Sequence, residues 1–343
     1  MAEKAKLIKS TLEHSQNPLF LFDNDVDGLC SFLVLRRSIG RGLGVPIKSF
    51  PELKSQYLKR IDELKPDVVV VLDKAEAEKE FLEGVLSRGI QLIWIDHHNS
   101  KTEKEISHSS IFLKSKEPTT YASYNIFGRK ENLWIAVIGC ISDVFMPDFA
   151  ADFEKEYPEL FNSKIGAFDA LHSTEVGKIV QMLNFGLMDS TTNVVSLIKF
   201  LFKARGPYDI LTETHRNKRL HFRYSQLKKF FDKQIEKAEK QLNDKDSVLI
   251  FTYSGSISMS SQIANALYFR HRDKLIVVAF KGEEKVNISL RGKNALKITK
   301  KIVSKIQGAT GGGHPEATGA MVPLDSFEKF KELVKAKSNR KSF

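Results

Sequence analysis

The chain has 343 residues, long for one domain and comfortable for two, either of which could bury a core of its own. Hydrophobic residues make up 42% and charged residues 28%, globular proportions that exclude disordered, collagenous and low-complexity classes. Lys and Arg number 53 against 42 Asp and Glu, and the resulting charge of +11 favours a polyanionic partner or an acidic substrate while saying nothing about fold.

The first half alternates strands and helices. Residues 18–23 form a short apolar run ending in carboxylates, followed by a helical pattern over 28–38. Residues 67–73 and 91–96 are apolar runs of strand length, and 119–127 and 132–144 read as helices. Strands apolar on both faces and separated by helices predict a parallel sheet covered on two sides. All three strands end in Asp at their carboxyl ends, the edge where open α/β sheets place their sites. One such Asp could cap a helix; three argue for convergence. Segment 149–208 carries little signal. Leu220, Tyr224, Leu227, Phe231, Ile235, Ala238 and Leu242 then recur at spacings of four and three and mark one face of a long helix. Its other faces are rich in Lys and Arg and read either as a solvated surface or as a track for nucleic acid. A second, smaller α/β unit follows, with strands over 247–253, 274–280, 285–290 and 317–322 and helices over 262–270, 295–306 and 326–337, then a basic, frayed tail over 335–343. No apolar run approaches a membrane span, and the first residues have no apolar core behind their charges, so neither a membrane segment nor a secretory signal is expected. Cys30 and Cys140, in apolar stretches, are expected as buried free thiols of a cytoplasmic protein.

Asp23, Asp25 and Asp27 alternate just past a strand, so their side chains can share one face, where they repel unless cations sit between them. The motif reads as an Asp-rich turn, a calcium loop or a metal site, and it lacks the spacing of an EF-hand. Asp96, His97 and His98 close another apolar strand. Adjacent histidines in a strand point to opposite faces, so one is expected to ligate an ion and the other to serve substrate or support, unless the two are a surface pair. Asp73 ends the most apolar strand and would be costly unless paired or metallated. Asp143 follows an apolar helical run, an odd place for a carboxylate unless it points into a site. Ser260 and Ser261, at a helix start, read as caps or as nucleotide contacts.

In order, Asp25-Val-Asp27-Gly28, Asp73, Asp96-His97-His98 and Gly139-Cys-Ile-Ser-Asp143 resemble the motifs of the DHH phosphoesterase superfamily. Ser289-Leu-Arg291-Gly292 and Gly311-Gly312-Gly313-His314 resemble its associated C-terminal domain. The resemblance implies a parallel-sheet DHH catalytic domain over 1–210, a connecting helix over 211–246 and an α/β substrate-binding domain over 247–343, with the active site in the cleft between them. It further implies two divalent cations, Mn²⁺ ahead of Mg²⁺, held by Asp25 on one side and by Asp27, His97 and Asp143 on the other. Asp73 would bridge them and Asp23 would stand as an additional ligand. His98 would contact the scissile phosphate, Asp96 would orient an imidazole, and Arg291, His314 and a glycine nest at Gly311, Gly312 and Gly313 would clamp a phosphate. Leu21 stands where the pyrophosphatase and nanoRNase branches carry His, whereas Asp23 fits the RecJ-like arrangement, and Leu187 stands where RecJ carries a phosphate-binding Arg. The compact, lysine-rich chain is similar to archaeal RecJ-like nucleases. The implied function is metal-dependent exonucleolysis of single-stranded DNA or RNA by in-line attack of a bridging hydroxide. The alternatives are a hydrolase of short oligonucleotides or nucleotide phosphates, and a scaffold subunit of a replication or repair complex with vestigial activity. Oligomeric state is left open.

Overall fold

Apolar runs and turn signals resolve into elements whose boundaries stay close to the sequence pattern. The computed structural model describes residues 2–49, 52–99, 102, 106, 110–243 and 246–338. The chain divides into two units, Met1–Tyr224 and Ser225–Phe343.

The first unit opens with α1 (Ala2–His14), β1 (Pro18–Asp23), α2 (Val26–Ile39), β2 (Leu43–Ile47), β3 (Glu52–Leu53), α3 (Leu58–Leu64), β4 (Val68–Leu72), β5 (Glu76–Ala77), α4 (Lys79–Ser87), β6 (Gln91–Asp96) and β7 (Ile111–Lys114). Five strands make one sheet in the order β2-β1-β4-β6-β7, every neighbouring pair parallel, while β3 and β5 form a small parallel ribbon. Alternation along the strands fills two cores. Phe20, Phe22, Val70, Leu72, Ile93 and Ile95 face a cluster with residues of α1 and α2, and Leu19, Leu21, Val69, Val71, Leu92 and Trp94 face one with α3 and α4. Burial on both faces explains the uninterrupted apolar runs. The chain leaves β1 toward β2 and later fills the other side through β4, β6 and β7, so the strand order reverses between β1 and β4.

Helices α5 (Thr119–Phe127), α6 (Leu133–Ser142), α7 (Ala150–Glu156), α8 (Ala167–Ser173), α9 (Glu175–Leu187), α10 (Thr191–Leu201) and α11 (Pro207–Leu211) follow. Most fill the segment that carried little signal, and their apolar sides join the larger core. Helix α12 (Lys218–Glu239) contains the unit boundary. Leu220, Leu227, Phe231, Ile235 and Ala238 are buried, as the four-and-three spacing predicts, and Leu242 lies past the helix end.

The second unit continues with β8 (Val248–Tyr253), α13 (Ser260–Arg270), β9 (Leu275–Lys281), β10 (Lys285–Arg291), α14 (Ala295–Val303), β11 (Thr310–His314), β12 (Ala317–Pro323) and α15 (Phe327–Ser338). Its sheet order is β11-β12-β10-β9-β8, antiparallel except for β8 with β9.

One strand escapes the sequence pattern and two expectations are corrected. Strand β2 escapes the pattern because Gly44 and Pro46 interrupt it, which an edge strand tolerates. The Gly311–Gly313 stretch is an extended edge strand paired with β12 rather than a looped nest, because Gly311, Gly312 and Gly313 register against Ala320, Gly319 and Thr318. The tail is helical to Ser338, and residues 339–343 lie outside the described residues. Both cysteines are buried and free. Among the described residues no helix is long and apolar enough to cross a membrane.

Gly139 lets α6 pack against α2 and α5: a Cβ there would strike the side chain of Thr120 and lie 2.7 Å from Cys30 Cβ. Gly139→Ala should therefore destabilise the fold by about 1–3 kcal/mol. Chemical denaturation read by circular dichroism checks this, and an unchanged midpoint contradicts it.

Candidate metal centre

The carboxyl ends of β1, β4 and β6 gather the acidic residues. Asp23 is the last residue of β1 and Asp25 is the N-cap of α2, where its Oδ1 accepts from Gly28 N at 2.9 Å. Gly28 is required by close approach, since a Cβ there would lie 2.5 Å from Asp23 O. Asp27, 3% exposed, sits in the first turn of α2. Its two oxygens accept from Thr119 N and Thr120 N, both at 2.9 Å, and Thr120 Oγ1 donates to Asp27 O at 2.9 Å. The first N–H groups of a helix have no partner within it, so Asp27 both caps α5 and gains a carboxylate-stabilising field.

Asp73, 2% exposed, follows β4 with φ of +58°, a conformation uncommon outside Gly, Asn and Asp. Its N–H donates to Ile95 O at 3.0 Å, and Thr119 Oγ1 donates to its Oδ1 at 3.0 Å. Lys74, 3% exposed, turns back to donate from Nζ to Asp23 Oδ1 at 3.0 Å and to Ser49 O at 2.9 Å, while Trp94 Nε1 fixes the Lys74 carbonyl at 2.8 Å. Fully buried Asp96 receives His98 Nδ1 at 2.8 Å and His98 N at 3.1 Å. His97 Nε2 lies 3.4 Å from Asp73 Oδ1 and 3.6 Å from Asp143 Oδ2, and His98 Nδ1 lies 3.8 Å from Asp73 Oδ1.

Among the described residues, two sets of side chains bring ligand atoms within 4.8 Å of one another: Asp73 with His97 and His98, and Asp27 with His97 and Asp143. The second coincides with the set that the sequence resemblance implies for one ion. Asp25 lies outside both, but its side chain meets that of Asp73. Asp23, read from sequence as a ligand, is instead engaged by Lys74, whose fixed ammonium already supplies it with a cation. The expectation that His97 and His98 diverge is also corrected. Strand β6 ends at Asp96, so strand alternation no longer applies, and the two rings lie 4.3 Å apart with both imidazoles reaching Asp73.

Electrostatics follow from the crowding. Loss of water, then the charges of Asp73 and Asp25, hold Asp27 well above the usual carboxylate range. Desolvation, Asp73 and Asp23 do the same to Asp25, although part of that residue remains open to solvent. Burial raises Asp73 to about 7 against the opposing pull of His98. It also raises Asp143 to about 7, reinforced by Asp27. At His98 burial works against the charged ring, but Asp96 and Asp73 outweigh it and lift the pKa to about 9. With Asp23 paired to Lys74 and Asp96 to His98, four carboxylates remain, a charge that two divalent cations balance. Oxygen donors with one or two imidazoles fit Mn²⁺ or Mg²⁺ better than a thiolate-seeking metal.

In the second unit, Arg291 is held by its own neighbours. It donates to Asn265 Oδ1, to Leu290 O at 2.8 Å, to Thr318 O at 3.2 Å and to Ser261 Oγ at 2.8 Å. One of its five N–H groups is left, so clamping a phosphate through two N–H groups requires Ser261 or Asn265 to release it. Burial lowers its pKa to about 10. Neither Ser260 nor Ser261 caps α13: Ser260 Oγ lies 3.3 Å from Ser289 Oγ, and Ser261 accepts from Arg291. His314 is exposed on β11. Sequence reasoning misses Lys74, Thr119 and Thr120. The signals available are a Lys directly after the bridging candidate and a Pro-Thr-Thr helix start.

Residues 19–131 match the DHH family, N-terminal domain, and residues 246–339 match the DHHA1 domain. No curated protein sequence is significantly similar. Among solved structures, RecJ in complex with Mn²⁺ from Thermus thermophilus is similar at 14% identity and a TM-score of 0.71, over 99% of this chain. The match covers 55% of that protein, so the chain spans about half its length. The pGpG-specific phosphodiesterase PggH from Vibrio cholerae is similar at 12% identity and a TM-score of 0.51, over 95% of this chain and 100% of that one. CDC45 from Entamoeba histolytica is similar at 10% identity and a TM-score of 0.53, over 97% and 98%. At these identities the likeness is one of fold.

Asp73, Asp143 and His98 all have folded-state pKa values above the ~3.9 and ~6.5 of unfolded chains. Such groups add stability below their unfolded pKa and lose that contribution as pH rises through the folded value. The metal-free protein should thus lose stability from about pH 4 to 7 through the carboxylates, and from about 6.5 to 9 through His98. Mn²⁺ should raise the melting temperature more near pH 8 than near pH 5, because only ionised carboxylates need it. Thermal melts with chelator and with Mn²⁺ at both pH values check this, and equal shifts contradict it.

Proposed function

We propose that this chain, which belongs to the DHH phosphoesterase superfamily and is RecJ-like in fold, is a divalent-metal-dependent exonuclease of single-stranded DNA or RNA. The observation that carries the reading is the retained ligand set, Asp25, Asp27, Asp73, His97 and Asp143, at the carboxyl edge of the parallel sheet. A scaffold without activity has no need to gather four carboxylates in one place, two of them, Asp27 and Asp73, buried. The surplus of basic residues supports a polyanionic substrate.

These five residues would hold divalent cations, which would supply an activated water and charge compensation at phosphorus. The remaining chemistry belongs to the chain. Asp27 is fixed by two backbone N–H groups, so its ligand oxygens are positioned before any ion arrives. Thr119 orients Asp73, and Asp96 holds the Nδ1 proton of His98, leaving Nε2 to donate to a phosphate oxygen. Lys74 neutralises Asp23 and keeps it from competing for the ions. Arg291, Gly311, Gly312, Gly313 and His314 would supply substrate contacts from the DHHA1 unit, the last four from β11 at the edge of its sheet.

The same fold in a pGpG-specific phosphodiesterase supports the second reading, a hydrolase of very short oligonucleotides. End-labelled strands of graded length, in both nucleic-acid chemistries, separate the two. Chelator-sensitive cleavage that persists to tens of nucleotides and weakens with salt is expected. Rates that peak on two to four nucleotides favour the second reading, and no cleavage of either favours a scaffold. Asp73→Asn should abolish turnover, exceeding the ~10–100-fold cost of losing an outer-shell partner, with an unchanged circular dichroism spectrum. Near-normal turnover in that variant refutes the metal assignment.

A further inference from the structure

We propose that the first unit carries a second phosphate subsite, formed by Arg216 and Arg223 beside the Arg219–Asp189 pair, which holds the backbone of a single strand next to the metal centre. The proposal rests on the nucleic-acid reading above and specifies how a strand longer than two nucleotides is retained.

Where α9 gives way to α10, and α12 begins, a depression of about 40 Å³ is lined by Asp189, Asn193, Ser196 and the three arginines, among others. At ~10–15 Å³ per water it holds about three waters, the bulk of one phosphate group and far short of a nucleobase. Arg219 donates to both oxygens of Asp189, at 2.9 and 3.0 Å, so that pair is internally neutral. Among the described residues no second carboxylate lines the depression to balance Arg216 and Arg223. Arg216 is exposed. Arg223 donates from Nη2 to Met188 O at 2.8 Å, while its Nε is buried with no acceptor. A buried donor without an acceptor is costly, and a phosphate oxygen is the acceptor that a guanidinium suits best.

The position of the depression matters as much as its charge. Asn24, between Asp23 and Asp25, donates from Nδ2 to Leu187 O at 3.5 Å. The metal-binding loop and Arg223 are thus fastened to the adjacent carbonyls of Leu187 and Met188 at the end of α9. A phosphate held by Arg216 and Arg223 would be a neighbour of the one being cleaved, on the same strand. A free phosphate shares this chemistry but would gain nothing from the connection.

The test uses the full chain in chelator, so that binding is read without cleavage. Fluorescence anisotropy measures Kd for labelled thymidylate and uridylate strands of about twelve nucleotides and for a dinucleotide, over a range of salt. Arg216→Gln and Arg223→Gln are compared with Lys4→Gln, an exposed charge on α1. Each arginine variant should reduce the slope of log affinity against log salt by ~0.7 and weaken the long strand about fivefold at ~0.1 M salt. Lys4→Gln should do neither. Arginine variants that match Lys4→Gln overturn the subsite, and so does an equal effect on the dinucleotide, which would assign the pocket to a terminal phosphate. Inorganic phosphate that displaces the long strand equally from wild type and variants also argues against it. Should Arg223→Gln lose its cooperative melt, exposed Arg216 decides alone. If the wild type binds no strand, the nucleic-acid reading itself fails; if it binds and the arginine variants bind alike, only the subsite fails.

Discussion

Mutual repulsion among carboxylates packed at one sheet edge is the constraint around which the first unit is built. Two like charges with oxygens within 4.8 Å, as for Asp27 and Asp143, cost about 3–4 kcal/mol at an effective dielectric of ~20. The protein answers in three ways. It raises the pKa values of Asp25, Asp27, Asp73 and Asp143 through burial and mutual charge. It supplies fixed partners, Lys74 to Asp23 and His98 to Asp96. It also directs helix N-terminal N–H groups at Asp25 and Asp27. What remains is a deficit of positive charge suited to divalent ions.

The sheet topology makes this crowding possible. Strand order reverses between β1 and β4, the point at which open α/β sheets leave a crevice at their carboxyl ends. Asp23 and Asp73 stand on either side of that point, and Asp96 ends the next strand. Helices α2 and α5 cannot drift, because Asp27 and Thr120 tie them together, Gly139 lets α6 pack against both, and Gly28 brings the start of α2 against the Asp23 backbone. The strain of Asp73 at positive φ is borne by a backbone held on both sides, through Ile95 O and through Trp94 at the next carbonyl.

Fold alone does not settle chemistry here, since RecJ, a pGpG-specific phosphodiesterase and CDC45 share it at low identity. The discriminating features are local. Two groups of acidic and histidine side chains could hold a metal ion, and a basic depression lies at the helix end to which the Asp23–Asp27 loop and Arg223 both reach. Arg291 meanwhile shows how a residue that sequence marks as a substrate clamp can be largely occupied within its own unit.

The sequence by itself determined the parallel sheet, because Pro18–Asp23, Val68–Leu72 and Gln91–Asp96 are apolar on both faces and only a doubly covered strand needs that. It also marked the acidic edge, because a carboxylate that ends a buried run is costly without a cation. The long helix α12 was legible from its four-and-three period. Tertiary structure alone decided how the charges pair. Lys74 reaches Asp23 across 51 residues and Thr119 reaches Asp73 across 46, contacts that leave no local pattern. The same holds for Arg223 at the end of α9 and for the convergence of His97 and His98, since a period-2 argument lapses where the strand stops. Local periodicity records which face of an element is buried; which side chain neutralises which depends on where elements distant in sequence come to lie.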